Sequence, residues 1–488
     1  MKKTQSSEPA LLATPSQLQA FSEDVSYLWC CSSKTVVPVL EHPPTSLEFC
    51  RDFVHKSRPC IIRNAILDST NNQNPLILTL DELVEKEILN PSLVLTVDVT
   101  PDGQGDCVRT ARGTGIKQSS STTTTTTTTC EKDDSSHPNI PQHFNKGEIV
   151  VEKEVFVQPM EVPMQVQEFC QRLRRQRPKE HGYNPDAIDI HGRSVVSLLP
   201  STMNVEQDEE TSTSDQRSIR ERIIPEDSIV YYSRQVCTNM FRYARAKCLH
   251  CNFFESYRRI LLQNDCLRTE LGNKLPDLFP KGMDWAQEAF GTSLEAINLW
   301  IGNEFAISSM HKDPYENLFY VASGEKLFTV CPPSDAPFLY EQQRYPRAVF
   351  ETTPTACSSK SDEDIRWGIS QQLEQHDDND PSKTSVQWIA PDLSSLVPSS
   401  PKAKEHTETL LSRYPLLKFA HPMEIRVRAG ELLYLPSLWY HRVTQSCETI
   451  GVNYWYDMMF DAPSWCYYSF LQQLKVVQDD RDNDSDVD

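Results

Sequence analysis

The strongest constraint on the fold is a set of short apolar segments joined by glycine-containing turns in the second half of the chain. Residues 318–330 carry one such turn at Gly324, and residues 425–436 carry another at Gly430. Apolar runs on both sides of a glycine turn are typical of β-strands, so each pair is predicted to form a hairpin. A further strand is predicted over residues 449–455. Short strands following one another at turns predict a double-stranded β-helix, a jelly roll whose mouth can hold a metal.

The remaining segments predict flanking helices, so the expected fold class is mainly β with flanking helices (α+β). Apolar residues at three-four spacing predict helices over residues 46–54, 80–86 and 162–175, with Thr45 and Ser46 available to cap the first. An inserted helical hairpin is predicted over residues 236–270. Further strands are predicted over residues 58–64, 93–99, 149–156, 228–234 and 296–302.

Polar and low-complexity stretches interrupt the predicted domain, which spans residues 41–478. A poorly ordered leader of residues 1–40 precedes it, and an acidic tail of residues 479–488 follows it. The run Thr122–Thr129 offers no apolar surface to bury, so it is expected to lie in a disordered insertion. Disordered insertions are predicted near residues 103–147, 204–218 and 352–411, with an anchored island at residues 388–391.

Charge and cysteine usage limit the class of protein and its compartment. The net charge of -20 argues against a nucleic-acid partner, because such binding needs clustered Lys and Arg. The N-terminus does not resemble a signal peptide, and no run of about 18 apolar residues predicts a membrane span. The 15 cysteines are therefore expected to be reduced thiols of a cytoplasmic or nuclear protein. Cys248 and Cys251 have the spacing of half a zinc site, but no matching second pair accompanies them.

Three residues form the pattern of a metal site. His311 and Asp313 are two positions apart, so on extended backbone both side chains project from one face. His441 lies five residues after the second pair of predicted strands, which spans residues 425–436. Two histidines and one carboxylate on one face of an iron leave three coordination positions open, enough for a 2-oxo acid and dioxygen. Lys326, just beyond the turn at Gly324, is placed to bind the distal carboxylate of such an acid.

Each of these residues also has a purely structural interpretation. A His-x-Asp pair occurs by chance in many proteins, and a lysine is more often a solvated strand residue than a buried ligand. The ordered combination of His311-Lys312-Asp313, Ser323-Gly324-Glu325-Lys326 and the segment 430–441 is much harder to explain by chance. The combination therefore predicts a metal-dependent enzyme.

The same segments resemble the Jumonji-C (cupin-type) protein hydroxylases, within them the type of bifunctional peptidase and (3S)-lysyl hydroxylase. The likeness also includes residues 298–302, 331–335 and 452–457, and it covers most of the predicted folded segments. It implies a cupin-like jelly roll with Fe(II) held by His311, Asp313 and His441. The residues that it implies for 2-oxoglutarate are Lys326, Ser308 (where a threonine is usual), Tyr231, Asn317 and Asn453.

The resemblance also implies a reaction and partners. Dioxygen and 2-oxoglutarate would hydroxylate a lysine side chain of a GTP-binding protein, with succinate and carbon dioxide as the other products. Homodimers occur among the relatives, and residues 465–477 offer an aromatic helix for that contact. Two alternatives stay open: a metal-dependent endopeptidase acting on Arg- or Lys-rich tails, and a cupin-type binding module without catalysis.

Overall fold

The computed structural model describes most of the predicted domain and part of the leader. The predicted hairpin at residues 236–270, Cys248, Cys251, the insertion near residues 204–218 and the acidic tail lie outside the described residues. The described residues are 11–29, 37–69, 71–115, 149–175, 193, 195–197, 224–226, 228–233, 271, 279–280, 282–354, 365–371, 385–397 and 404–476.

The described part of the chain is rich in β-strands, as predicted. In chain order the strands are β1 (Leu11–Ala13), β2 (Val39–Leu40), β3 (Cys60–Arg63), β4 (Leu67–Asp68), β5 (Asn71–Pro75), β6 (Val94–Thr100), β7 (Gln104–Gly105), β8 (Cys107–Gly115), β9 (Ile149–Gln158), β10 (Met160–Gln165), β11 (Val196–Ser197), β12 (Ile229–Ser233), β13 (Leu294–Gly302), β14 (Ile307–His311), β15 (Tyr315–Ser323), β16 (Glu325–Cys331), β17 (Arg344–Pro354), β18 (Ile365–Gln371), β19 (Ser385–Gln387), β20 (Met423–Arg428), β21 (Glu431–Leu435), β22 (Tyr440–Gln445), β23 (Thr449–Asp457) and β24 (Leu474–Val476).

Short helices flank the strands, and local sequence explains where several begin. Thr45 caps the helix that starts at Ser46 through a capping box with Glu48, and Thr79 forms the same box with Glu82. The helices are α1 (Pro15–Trp29), α2 (Ser46–Phe49, continued by a π-turn over Cys50–Val54), α3 (Leu80–Glu85), α4 (Val166–Arg175), α5 (Asp284–Phe290), α6 (Lys404–Arg413) and α7 (Pro463–Leu471). None of them is both long and apolar enough to cross a bilayer.

Two sheets form the barrel, and a third extends it. The large sheet has the order β10-β6-β12-β13-β23-β15-β21-β3-β2, and the small sheet has the order β20-β16-β22-β14-β7. The third sheet has the order β11-β8-β9-β17-β18, with β19 paired to β17. Apolar side chains from both barrel sheets meet in one interior cluster that includes Phe319, Phe328, Val427, Leu433 and Val443. The predicted cupin-like jelly roll is therefore confirmed.

The two glycine turns do not close hairpins, and this prediction was wrong. β15 belongs to the large sheet and β16 to the small one, so the chain changes sheet at Gly324. It changes back at Gly430, between β20 and β21. The turns contact each other, since Ala429 N–H donates to the Gly324 carbonyl at 3.0 Å. Both glycines have positive φ, +77° and +86°, which an L side chain rarely adopts.

Several segments are more ordered than predicted. The leader contains α1 and β1, and β1 pairs in parallel with β24 near the other end of the chain. The range given to the first insertion contains β7 and β8, and β8 pairs with β9 over its whole length. Residues 162–165 belong to β10 rather than to the following helix, because they pair with β6. Long-range pairing decides these segments, and local periodicity cannot show it.

Replacement of Gly324 by alanine is expected to lower the free energy of unfolding by at least about 3 kcal/mol. The new Cβ would meet the Thr449 hydroxyl and the Glu448 carbonyl at a positive φ. Gly291→Ala is the matched control, because Gly291 also has positive φ (+69°) but its Cβ would meet only the mobile end of Met459. Urea denaturation of both variants measures the difference, and equal losses would show that the close approach at Gly324 is unimportant.

Candidate metal centre

His311, Asp313 and His441 meet in one place. His311 ends β14, Asp313 follows it by two residues, and His441 lies opposite His311 in the antiparallel pair of β14 and β22. Asp313 Oδ2 lies 3.8 Å from His311 Nε2 and 3.6 Å from His441 Nε2. One ligand atom from each residue lies within 4.8 Å of the other two. We call these three residues the His–Asp–His cluster.

Backbone carbonyls orient both imidazoles toward the centre of the cluster. The Nδ1 of His311 lies 2.7 Å from the carbonyl oxygen of Ser309, and the Nδ1 of His441 lies 2.9 Å from that of Trp439. Only a protonated Nδ1 can donate to a carbonyl, so the neutral tautomer leaves the lone pair on Nε2. Both lone pairs therefore face the carboxylate, and three electron-rich atoms surround one point. Such a donor set fits a cation.

Burial keeps His441 ready to bind a metal. Its side chain is 6% exposed. Burial and the neighbouring charge of His311 lower the pKa of His441 to about 4. The imidazole therefore stays neutral at physiological pH, and a neutral imidazole is the form that ligates metals. The donors fit a ferrous ion, because two imidazoles and one carboxylate are a set that non-haem Fe(II) accepts with coordination positions left open.

Lys326 is a buried cation inside the barrel. It lies on β16 in register with Gln445 of β22, and its ammonium donates to Gln445 Oε1 at 2.5 Å. No carboxylate of the described residues lies within ion-pair distance of it, and burial lowers its pKa to about 7. Gln445 is itself held by the carbonyls of Asn303 and Ala306. A buried lysine without an anion is rare, so this side chain fits an anionic ligand.

Two more of the predicted co-substrate residues share a cavity with Lys326. Ser308 from β14 and Tyr231 from β12 line it, together with Gln445 and Trp300. The wall is thus built by strands of both barrel sheets. A dicarboxylate bound at this cavity would lie beside the Lys326 ammonium and the hydroxyl groups of Ser308 and Tyr231.

Asn317 and Asn453 form a polar group on the inner face of the large sheet. Asn453 Nδ2 donates to Asn317 Oδ1 at 3.2 Å, and Trp300 Nε1 donates to Asn453 Oδ1 at 2.8 Å. Asn298, which was not predicted as a site residue, lies opposite Asn453 in the pairing of β13 with β23. Its side chain is fully buried, and neither of its amide atoms has a hydrogen-bond partner among the described residues. An orphaned buried amide is costly, so it too fits a bound polar molecule.

The rim of the metal centre carries an aromatic ring and a carboxylate. The Trp388 ring is parallel to His311, with 6.1 Å between centroids, and its Nε1 donates to Ser309 Oγ at 2.9 Å. Asp106 interacts electrostatically with His311, and desolvation of its carboxyl group raises the pKa to about 6. Trp388 belongs to the predicted island of residues 388–391, which does pack, since Ile389 and Ala390 are buried. No functional role was predicted for Trp388 or Asp106 from the sequence.

Comparisons with known proteins agree with this architecture. Residues 45–462 match the family profile of the Cupin-like domain. The chain is 40% identical over 230 residues to JmjC domain-containing protein E of Dictyostelium discoideum, covering 45% of this chain and 58% of that protein. It is 41% identical over 219 residues to Lysine-specific demethylase JMJ32 of Arabidopsis thaliana, covering 43% of this chain and 55% of that protein. It is 37% identical over 217 residues to Bifunctional peptidase and (3S)-lysyl hydroxylase JMJD7 of Homo sapiens, covering 44% of this chain and 58% of that protein.

Proposed function

The chain belongs to the Cupin-like domain family, and we propose that it is an Fe(II)- and 2-oxoglutarate-dependent protein hydroxylase. The observation that carries the proposal is the combination of the His–Asp–His cluster with Lys326 inside one barrel, where this buried lysine has no carboxylate partner among the described residues. The matches span between 55% and 58% of these three relatives, so activity and substrate are inferred from this chain's own site.

Each residue has a defined task in this proposal. His311, Asp313 and His441 would hold Fe(II), and three protein ligands leave coordination positions for the co-substrate and dioxygen. When bound, the iron supplies oxidation of a substrate C–H bond by dioxygen, coupled to decarboxylation of 2-oxoglutarate to succinate. Lys326 binds the distal carboxylate of the co-substrate, with Ser308, Tyr231, Asn317 and Asn453 as further polar contacts. The barrel wall around Lys326 excludes water and strengthens that ion pair.

The rim supports a cationic side chain as the substrate. The Asp106 carboxylate, which is largely ionised above its pKa of about 6, would attract a lysine ammonium, and the Trp388 ring would pack along its methylene stem. Two of the relatives are named for lysine chemistry.

A GTP-binding protein as substrate and a homodimer stay predictions. Tyr467 and Phe470 of α7 are 46% and 49% exposed, which supports a contact through that helix.

Product analysis separates the proposal from its alternatives. The purified chain would be incubated with Fe(II), 2-oxoglutarate, dioxygen and peptides that carry lysine or methylated lysine, followed by succinate assay and mass spectrometry. Gain of one oxygen mass with matching succinate supports hydroxylation, and loss of a methyl group indicates demethylation. Shorter peptides that form without 2-oxoglutarate would support the endopeptidase. Succinate release no greater than in a chelator-treated sample would exclude the oxygenase and favour the binding module.

Asp106→Asn is expected to raise the KM for lysine peptides by about 10-fold, because a charge-assisted hydrogen bond becomes a neutral one. Peptide-independent turnover of 2-oxoglutarate should not change. Asp106 has a φ of +48°, a conformation that asparagine tolerates, so the backbone should be unaffected. Asp461→Asn on the exposed surface is the control. An unchanged KM in the Asp106 variant would remove this carboxylate from substrate recognition.

Binding of 2-oxoglutarate is expected to take up a proton at alkaline pH. The free Lys326 has a pKa of about 7, so above that pH it is mostly neutral, and a bound carboxylate raises the pKa again. Affinity should therefore fall as pH rises from about 7 to 10. Calorimetry of the Mn(II)-loaded protein in buffers of different ionisation enthalpy measures the uptake. A value near one proton at pH 9 and near zero at pH 6 is expected, and no uptake at pH 9 would contradict it.

A further inference from the structure

A buried polar cluster lies behind the metal centre, on the outer side of the small sheet. The ammonium of Lys312 pairs with one carboxylate oxygen of Glu341, and the two side chains are 10% and 14% exposed. The other oxygen of Glu341 accepts hydrogen bonds from Tyr440 OH at 2.7 Å, Tyr468 OH at 3.0 Å and Gln472 Nε2 at 2.9 Å. We call these five residues the Glu341 cluster.

Two members of the Glu341 cluster are chain neighbours of the proposed ligands. Lys312 separates His311 from Asp313, and Tyr440 directly precedes His441. Successive side chains on extended backbone point to opposite faces. The ligands therefore face the barrel interior while their neighbours face away from it. The neighbour of the ligands in each segment, Lys312 in one and Tyr440 in the other, therefore contacts the Glu341 carboxylate.

The last helix completes the connection. Tyr468 lies on α7 and is fully buried, and Gln472 follows the end of that helix. The Lys312 ammonium also lies 5.3 Å from the Tyr468 ring centroid and 5.5 Å from that of Tyr440, within the range of a cation–π interaction. Each member is thus held by at least two others, so a shift of α7 must disturb the backbone next to the ligands.

We propose that Glu341 is a positioning residue that sets the spacing of His311, Asp313 and His441 by tying both ligand segments to α7. The inference rests on the proposed metal site and adds a group that does not touch the metal. Partners that orient ligands from outside the coordination shell are worth about 10- to 100-fold in metal affinity. The helix is therefore part of what determines that affinity, although none of its residues reaches the barrel interior.

Titration with Co(II) tests the proposal, because Co(II) reports its coordination geometry through visible absorption and does not oxidise like Fe(II). Tyr468→Phe removes one hydroxyl from Glu341 and leaves the ring and its packing. We expect the Co(II) Kd to rise about 10-fold and the visible band to change in shape. Tyr434→Phe is the matched control, since Tyr434 OH donates to the buried Glu316 at 2.7 Å but neither residue adjoins a ligand. Its Co(II) Kd should stay within about twofold of wild type.

A second variant separates positioning from stability. Glu341→Gln alone leaves Lys312 as a buried charge and is expected to unfold more easily. The double variant Lys312→Met with Glu341→Gln removes both charges, so it should fold as stably as wild type and yet bind Co(II) more weakly. A wild-type Kd in the double variant and in Tyr468→Phe would overturn the inference. Equal effects of Tyr468→Phe and Tyr434→Phe would also overturn it. If the wild type itself binds no Co(II), the proposed metal site fails and the inference falls with it.

Discussion

Asp313→Ala is expected to weaken Fe(II) binding by well over about 100-fold and to reduce succinate formation to the background of the metal-free protein. Loss of a partner outside the coordination shell already costs about 10- to 100-fold, so loss of a ligand must cost more. Asp313 is also the only anion in the His–Asp–His cluster, and its carboxylate lies 3.6 Å and 3.8 Å from the two Nε2 atoms. Two neutral imidazoles alone cannot balance the charge of a divalent ion.

The metal-free fold should tolerate this substitution. Without a metal, the carboxylate faces the Nε2 lone pair of the neutral His441 at 3.6 Å, a contact that gives no attraction until a cation arrives. We therefore expect the metal-free melting temperature of Asp313→Ala to equal or exceed that of wild type, while the rise in melting temperature on adding Fe(II) or Mn(II) disappears. Asp461→Ala on the exposed surface should keep that rise. Persistence of the metal-induced rise in Asp313→Ala would refute the assignment of this ligand.

The sequence predicted that His311, Asp313 and His441 would lie together, but it did not predict which strands bring them together. The two-residue spacing of His311 and Asp313 placed them together from local geometry alone. The approach of His441 depends on the register of β14 against β22, neighbouring strands of the small sheet, which places it directly opposite His311. Before the fold was known, the three were connected by the order of the motifs along the chain and by the resemblance to known hydroxylases. Local rules cannot supply a register between strands so far apart in the chain.

The turns at Gly324 and Gly430 show why the strands were predicted and their partners were not. Apolar runs on both sides of a glycine indicate two buried strands joined by a turn. Such a turn can close a hairpin within one sheet or carry the chain from one sheet to the other. In the structure β15 pairs with β21 and β23, whereas β16 pairs with β20 and β22. The choice is made by the interior cluster, which needs side chains from both sheets to face one another. Pairing is therefore a property of the whole barrel.

Residues missed by the sequence analysis share a common physical cause. Asn298, Gln445 and Trp388 lie in segments that read as ordinary strand or loop. Asn298 becomes notable because its amide is buried without a partner among the described residues, and Gln445 because it is the acceptor for Lys326. Burial and partnership are tertiary properties. A polar residue at an inward position of a strand is the sequence signal that could have found Gln445 and Asn298, and Lys326 shares this feature.

Lys326→Met is expected to raise the Kd of 2-oxoglutarate by about 100-fold or more, since the distal carboxylate would be buried without a cation. The loss should be specific to that carboxylate. A 2-oxo acid of equal length that ends in a methyl group should bind wild type and variant with similar affinity. Wild type should therefore prefer 2-oxoglutarate over this analogue, whereas Lys326→Met should not. Lys418→Met, at an exposed position, is the control.

Lys326→Met should lose affinity for 2-oxoglutarate without a matching loss in the free energy of unfolding. Burial without an anion lowers the pKa of Lys326 to about 7, so the charged form is held at a cost when no co-substrate is bound. Methionine removes that cost but leaves Gln445 Oε1 without its donor, and the free energy of unfolding is expected to stay within about 1 kcal/mol of wild type. A binding residue can lower the stability of the ligand-free protein, whereas a residue selected for packing raises it. If Lys326→Met keeps the affinity for 2-oxoglutarate, the anion site lies elsewhere, and the oxygenase proposal loses its co-substrate.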